Sequence, residues 1–155
     1  MKKKIFIDTN IFIRLLLDEV KSESISNFMD NTNASYYTNT VVLNELRYLL
    51  LYQQASEIIK STKKYNIMNF IKKNFDFRKE VLSKYLAFYN NLKEIVKIVD
   101  VLKEDETDIC LISVNEGLLP SDASILNSMR KNNIKNIFTD DSDFKKIKGL
   151  KIIEI

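Results

Sequence analysis

The sequence predicts an α/β fold with a mostly parallel sheet covered by helices on both faces. Strand-like and helix-like segments alternate along the chain. The strand-like segments are nearly continuous apolar runs, the mark of strands buried on both faces. Two glycines and one proline in 155 residues leave no internal linker. The length suits one domain, and 45% hydrophobic residues suffice for a core. Residues 1–155 are therefore read as a single domain with an extended helical insert at about 53–95.

The first strand, 2–8, is apolar until Asp8. A helix follows, with Asn10 as the expected N-cap. "SESISNFMDN" (22–31) reads as a second helix, and "ASYYT" (34–38) is a strand by its aromatic and threonine content. Residues 39–60 form a strong helix, and 61–95 read as helical throughout. "VKIVDVL" (96–102) is a strand. Helices at 105–117, closed by Gly117, and at 119–133 follow. "NIFTD" (136–140) and "GLKIIEI" (149–155) are the last strands.

Composition excludes several kinds of chemistry. There is no histidine, so no imidazole base, ligand or triad member. The single cysteine, Cys110, forms no internal disulfide and no zinc set. The basic start "MKKKIFIDTNIFIRLLL" is interrupted by Asp8, Asn10 and Arg14 and lacks a small-residue cleavage site. No apolar run is long enough to span a bilayer, so a soluble, cytoplasmic protein is expected. The net charge is only +3, but residues 60–97 hold ten basic side chains against three acidic ones. Such a basic block suggests a polyanion partner. Its two lysine pairs, Lys63 with Lys64 and Lys72 with Lys73, are the candidate contacts to that partner. The interleaved Tyr65, Phe70, Phe75 and Phe77 suit either stacking or a core.

Acids occur where structure alone does not call for them. Asp8 ends an apolar strand, although a buried unpaired charge is costly. Asp140, Asp141 and Asp143 follow the fourth strand. In open α/β sheets, ligands bind at these carboxyl ends. Glu45 lies on the apolar stripe of its helix, four residues after Val41 and four before Leu49. Asp122 opens a helix. Taken singly, these acids have ordinary uses: Asp-Thr-Asn turns and caps, and Asp122 complements the helix dipole. Acids from four separated segments, brought together, would repel one another unless a hard divalent cation sat between them. Mg2+ or Mn2+ held this way lowers the pKa of bound water and braces a phosphodiester without histidine.

"FIDTNIFI" (6–13), "NELRYLL" (44–50), "LPSDASIL" (119–126) and "NIFTDDSDF" (136–144) occur in the order found in the PIN domain family. The chain resembles that family, and within it the VapC-like toxin ribonucleases, over residues 4–52 and 96–155. The resemblance implies a Rossmann-like α/β/α fold and metal-dependent cleavage of RNA. It assigns the catalytic, metal-holding acids to Asp8, Glu45, Asp122 and Asp141. Asp141 is preferred to Asp140 because the family pattern Thr-x-Asp-x-Asp-Phe falls on Thr139, Asp141, Asp143 and Phe144. Asp143 becomes an extra ligand or support, with Thr9, Asn10 and Thr139 as polar supports. An antitoxin partner and a homodimer are also implied. The helical stretch from about 53 to 95 departs from the toxin type by its length and basicity; a substrate arm, a dimer contact and a larger clip all fit it. A non-catalytic RNA-binding or assembly module is the competing reading. A phosphotransfer domain is disfavoured, since "KKK" stands where a receiver carries acids and Asn10 where a phosphatase needs its second aspartate.

Overall fold

The computed structural model describes residues 1–155. Five strands, β1 Lys3–Ile7, β2 Ala34–Asn39, β3 Val96–Val99, β4 Asn136–Phe138 and β5 Lys151–Ile153, form one sheet in the order β3-β2-β1-β4-β5. Every pairing is parallel. The helices are α1 Thr9–Leu17, α2 Glu19–Asn31, α3 Thr40–Ile59, α4 Lys64–Lys73, α5 Phe75–Ile95, α6 Glu106–Glu116 and α7 Pro120–Lys131. The chain divides into two compact units, Met1–Leu43 with Val96–Ile155, and Asn44–Ile95. No single helix is long and apolar enough to cross a membrane.

The strand order of the first unit explains where its site can form. From β1 the sheet grows through β2 to β3, and then β4 lands on the other side of β1. Right-handed crossovers in opposite directions place their helices on opposite faces. The side chains of β2 agree. The Tyr36 hydroxyl donates to the Met29 carbonyl of α2 at 3.1 Å, and burial pushes that phenol above its usual pKa. Asn39, three residues on and so on the other face, donates to the Ser124 carbonyl and Ser128 Oγ of α7 at 3.3 and 3.0 Å. Helix α2 also meets β4, where Phe28 packs edge-on against Phe138 with centroids 5.1 Å apart. Between these layers Ile5, Phe6, Ile7, Ile137 and Phe138 are fully buried. The reversal makes the carboxyl ends of β1 and β4 neighbours, and such a switch point opens a crevice.

Several element ends differ from the sequence expectation, each for a local reason. The N-cap of α1 is Asp8, whose Oδ1 accepts from the Thr9 amide, and Asn10 is already helical. Helix α2 starts at Glu19, because Asp18 caps it through the Lys21 amide at 3.0 Å. The segment 61–95 is broken twice. Lys60 takes a left-handed φ of 49°, and Ser56 Oγ binds the Ser61 carbonyl at 2.7 Å. Asn74 then ends α4 by turning its amide back to the Phe70 carbonyl at 2.8 Å. Serine and asparagine compete with helix bonding in this way. β3 stops at Val99, and Asp105 draws the chain after it into a 3-10 turn. Its carboxylate accepts from the Leu102 amide and from Lys131 of α7, and the Lys131 ammonium first of all holds its pKa below the usual range. Gly117 closes α6 at φ 67°, as expected.

The second unit contains most of α3 together with α4 and α5. Ala55, Ile67 and Ile71 form its buried centre, with Phe70 and Phe77 packed against them at a ring separation of 5.1 Å. Arg78 joins α4 to α5 by donating to the Ile71 and Lys72 carbonyls at 2.6 Å. Two of the four aromatics singled out in the sequence, Phe70 and Phe77, are thus core. Tyr65 and Phe75 are exposed.

Candidate active site

Asp8 reaches the carboxyl edge of the sheet because β1 runs out beneath it. It is 5% exposed. Its Oδ1 caps α1, and its Oδ2 accepts a hydrogen bond from Thr139 Oγ1 at 2.7 Å. Thr139, fully buried, stands just past the end of β4. The same hydroxyl accepts from the Asp141 amide at 2.9 Å and from Asn10 Nδ2 at 3.4 Å. A hydroxyl offers one donor and two acceptor positions, so this one is saturated.

Beyond Thr139 the chain turns sharply. Asp141 caps the 3-10 turn Ser142–Lys146 by accepting from the Asp143 amide at 2.8 Å. Asp122 arrives from α7, whose first turn holds Pro120 and then this acid. Proline at the first helical position costs no hydrogen bond and fixes where the helix begins. One carboxylate oxygen from each of Asp122, Asp141 and Asp143 lies within 4.8 Å of the other two. Asp122 and Asp141 are half-buried and Asp143 is exposed.

This donor set fits a hard divalent cation. It is all oxygen and anionic. Oxygens on one small ion, at bonds of ~2.1 Å, stand at most ~4.2 Å apart, so a side-chain adjustment brings the three into shared coordination. Asp140 is set apart from them: its Oδ2 is 2.7 Å from Arg14 Nε of α1. Thr9 is buried at the start of α1, and Asn10 faces the turn after β4, its Oδ1 3.5 Å from the Asp140 amide.

Glu45 belongs to the other compact unit. It is half-buried on α3, between buried Val42 and Leu46 on one side and Leu49 and Leu50 on the next turn. Arg47 is engaged within that unit, donating to the Tyr85 hydroxyl and to Asn44 Oδ1. The four lysines of the basic block are exposed there too. Lys63 and Lys64 open α4 and Lys72 and Lys73 close it, so the pairs stand about 13 Å apart along the helix. A groove of about 450 Å³ in the first unit, lined by Leu111, Asn127 and Arg130 among others, contains none of the acids singled out in the sequence.

Sequence reading missed Asn39. It is fully buried and fastens α7 to the sheet, and its Oδ1 caps α3 through the Val42 amide at 2.9 Å. The signal was present: like Asp8, Asn39 is a cap-forming residue set directly between a strand and a helix.

A parallel sheet with a switch point, and carboxylates gathered beside it without histidine, define an α/β domain with an acidic edge suited to a hard cation. The PIN domain model matches residues 5–150, and the chain belongs to the PIN domain family. It is similar to Ribonuclease VapC2 from Methanocaldococcus jannaschii, 28% identical over 156 residues that span 99% of this chain and 95% of that protein. Its fold is shared with Mycobacterium tuberculosis VapC20, described as a Sarcin-Ricin loop cleaving toxin. That match has a TM-score of 0.62 and 17% identity, over 94% of this chain and 96% of the other. VapBC2 from Rickettsia felis, solved bound to a DNA fragment from its promoter, matches at TM-score 0.59 and 17% identity, covering 98% of each chain.

Thr139→Val removes the saturated hydroxyl while keeping its shape. It strips the Asp8 carboxylate and the Asp141 amide of a partner. The variant is expected to lose about 1–3 kcal/mol of stability, and Thr139→Ser to retain most of it. Urea unfolding of the two variants measures this.

Proposed function

We propose that this chain is an endoribonuclease that hydrolyses RNA phosphodiester bonds with Mg2+ or Mn2+, and that it is the toxin of a toxin–antitoxin pair. The observation that carries the reading is the convergence of Asp122, Asp141 and Asp143 at the β1–β4 switch point, where Asp8 is bonded to the same turn. Membership of the PIN family and the likeness to a protein named as a ribonuclease support it. The likeness to a VapBC assembly supports an antitoxin partner, and a homodimer is part of the proposal.

Asp122 and Asp141 would hold the cation, with Asp143 as an added ligand and Asp8 on the side held by Thr139. Glu45, half-buried on α3, is proposed as a further ligand. The bound ion would supply an activated water and neutralise charge on the scissile phosphate. One of these carboxylates would orient that water, as the chain has no imidazole to do so. Thr9, Asn10 and Thr139 keep the acids in place. Lys63, Lys64, Lys72 and Lys73 are proposed to hold the backbone phosphates.

Total RNA incubated with the protein is expected to be cut in Mg2+ or Mn2+ and left whole in EDTA. Asp8→Asn removes a charge and leaves one acceptor oxygen where the carboxylate uses two, for the Thr9 amide and the Thr139 hydroxyl. Cleavage is expected to fall by about a hundredfold or more. Metal-free thermal stability is expected to stay close to that of the wild type, because relief of like charges offsets the lost acceptor. A folded Asp8→Asn protein that cuts like the wild type refutes the role. RNA binding without cleavage by the wild type in either metal favours the non-catalytic module.

Replacing Lys63, Lys64, Lys72 and Lys73 by Gln is expected to weaken RNA binding. The slope of log affinity against log salt should drop by roughly 0.7 for each phosphate that the protein no longer neutralises. Cleavage at saturating RNA should suffer less than affinity. An unchanged salt slope removes this segment from the binding surface.

A further inference from the structure

The ribonuclease reading leaves Asp140 and Arg14 without a task. Asp140 immediately precedes Asp141, yet its carboxylate turns to α1. Its Oδ2 is buried and accepts no well-angled hydrogen bond; its close partner is Arg14 Nε at 2.7 Å. Four residues before Arg14 on the same helix face, Asn10 meets the same turn twice. Its Nδ2 donates to Thr139 Oγ1 and its Oδ1 stands at the Asp140 amide. Those two bonds are long, 3.4 and 3.5 Å, and hold loosely. The ion pair is the short, charged link between α1 and the turn.

We propose that Arg14 and Asp140 act as one positioning unit: their ion pair fastens the 139–143 turn to α1 and so holds Asp141 and Asp143 in register with Asp122. The pair rests on the proposed metal site but touches neither ion nor substrate in this role. Two opposing effects meet at Arg14. Its positive charge repels a cation, so losing it should tighten metal binding if charge dominates. Its grip on Asp140 orders the turn, so losing it should weaken metal binding if positioning dominates. Arg14 is partly exposed, with 35% of its side chain open to solvent, which screens its charge. The turn has only the two long Asn10 bonds and the Thr139 bonds to replace the grip. Positioning therefore wins.

The test compares wild type, Arg14→Gln, Arg14→Lys, Asp140→Asn and the double variant Arg14→Gln/Asp140→Asn. Mn2+ affinity is read by calorimetry, and RNA cleavage at saturating Mn2+ is resolved into kcat and KM. Arg14→Gln and Asp140→Asn are each expected to weaken Mn2+ binding about tenfold and to lower kcat, with KM little changed. Arg14→Lys, which keeps a point charge but loses the planar guanidinium, should recover part of the loss. The double variant should be no worse than either single one, as coupled partners require. Tighter Mn2+ binding in Arg14→Gln overturns the proposal. So does a raised KM with unchanged Mn2+ affinity, which makes Arg14 a substrate contact. Additive losses in the double variant overturn it too. If wild type binds Mn2+ and leaves RNA intact, the ribonuclease reading fails, while the calorimetric comparison still decides the role of the pair.

Discussion

The hydroxyl of Thr139 ties the two strand ends on which everything else depends. It donates to Asp8 at 2.7 Å and accepts from the Asp141 amide and from Asn10. It can do so only because β4 pairs with β1 rather than with β3, its predecessor in sequence among the strands. That reversal is a property of the whole sheet. It places residue 8 beside residue 139, and the turn after residue 139 then carries Asp141 and Asp143 to the start of α7. A local hydrogen bond and a global topology thus depend on one another.

Three of the acids at this edge have a structural task. Asp8 caps α1, Asp141 caps a 3-10 turn, and Asp122 sits in the first turn of α7. Helix starts carry partial positive charge and unsatisfied amides, which favour a carboxylate there. This explains how the first unit tolerates so many acids at one point before any cation arrives. The capping role and the metal-holding role are compatible because a carboxylate has about four lone-pair positions. An amide or a hydroxyl occupies one of them, and others stay open to an ion.

The strands were legible because their apolar runs have no other use in a chain of this length. The positions of Asp8, Asp122 and Asp141 were legible as acids at strand ends and a helix start. That Asp122 and Asp141 lie together was legible only through the ordered motifs, since strand order does not follow from strand content. The breaks at 60–63 and at 74 were hidden because 61–95 has helical periodicity; single Ser and Asn side chains decided them by bonding to nearby carbonyls. Asn39 was hidden because its polarity reads as an exposed helix start, although it ends β2 and is fully buried. The Thr-x-Asp-x-Asp-Phe pattern already preferred Asp141 to Asp140, but the pairing of Asp140 with Arg14 needed the structure, because adjacent residues point apart.

The central claim is that this topology assembles a cation site from separated acids. The direct test is a crystal structure of the protein grown with Mn2+, with anomalous scattering recorded just above the manganese absorption edge. A peak bonded to carboxylate oxygens of both Asp122 and Asp141 is the predicted result. A fully resolved map with Mn2+ bound elsewhere, and none at these two aspartates, would contradict it.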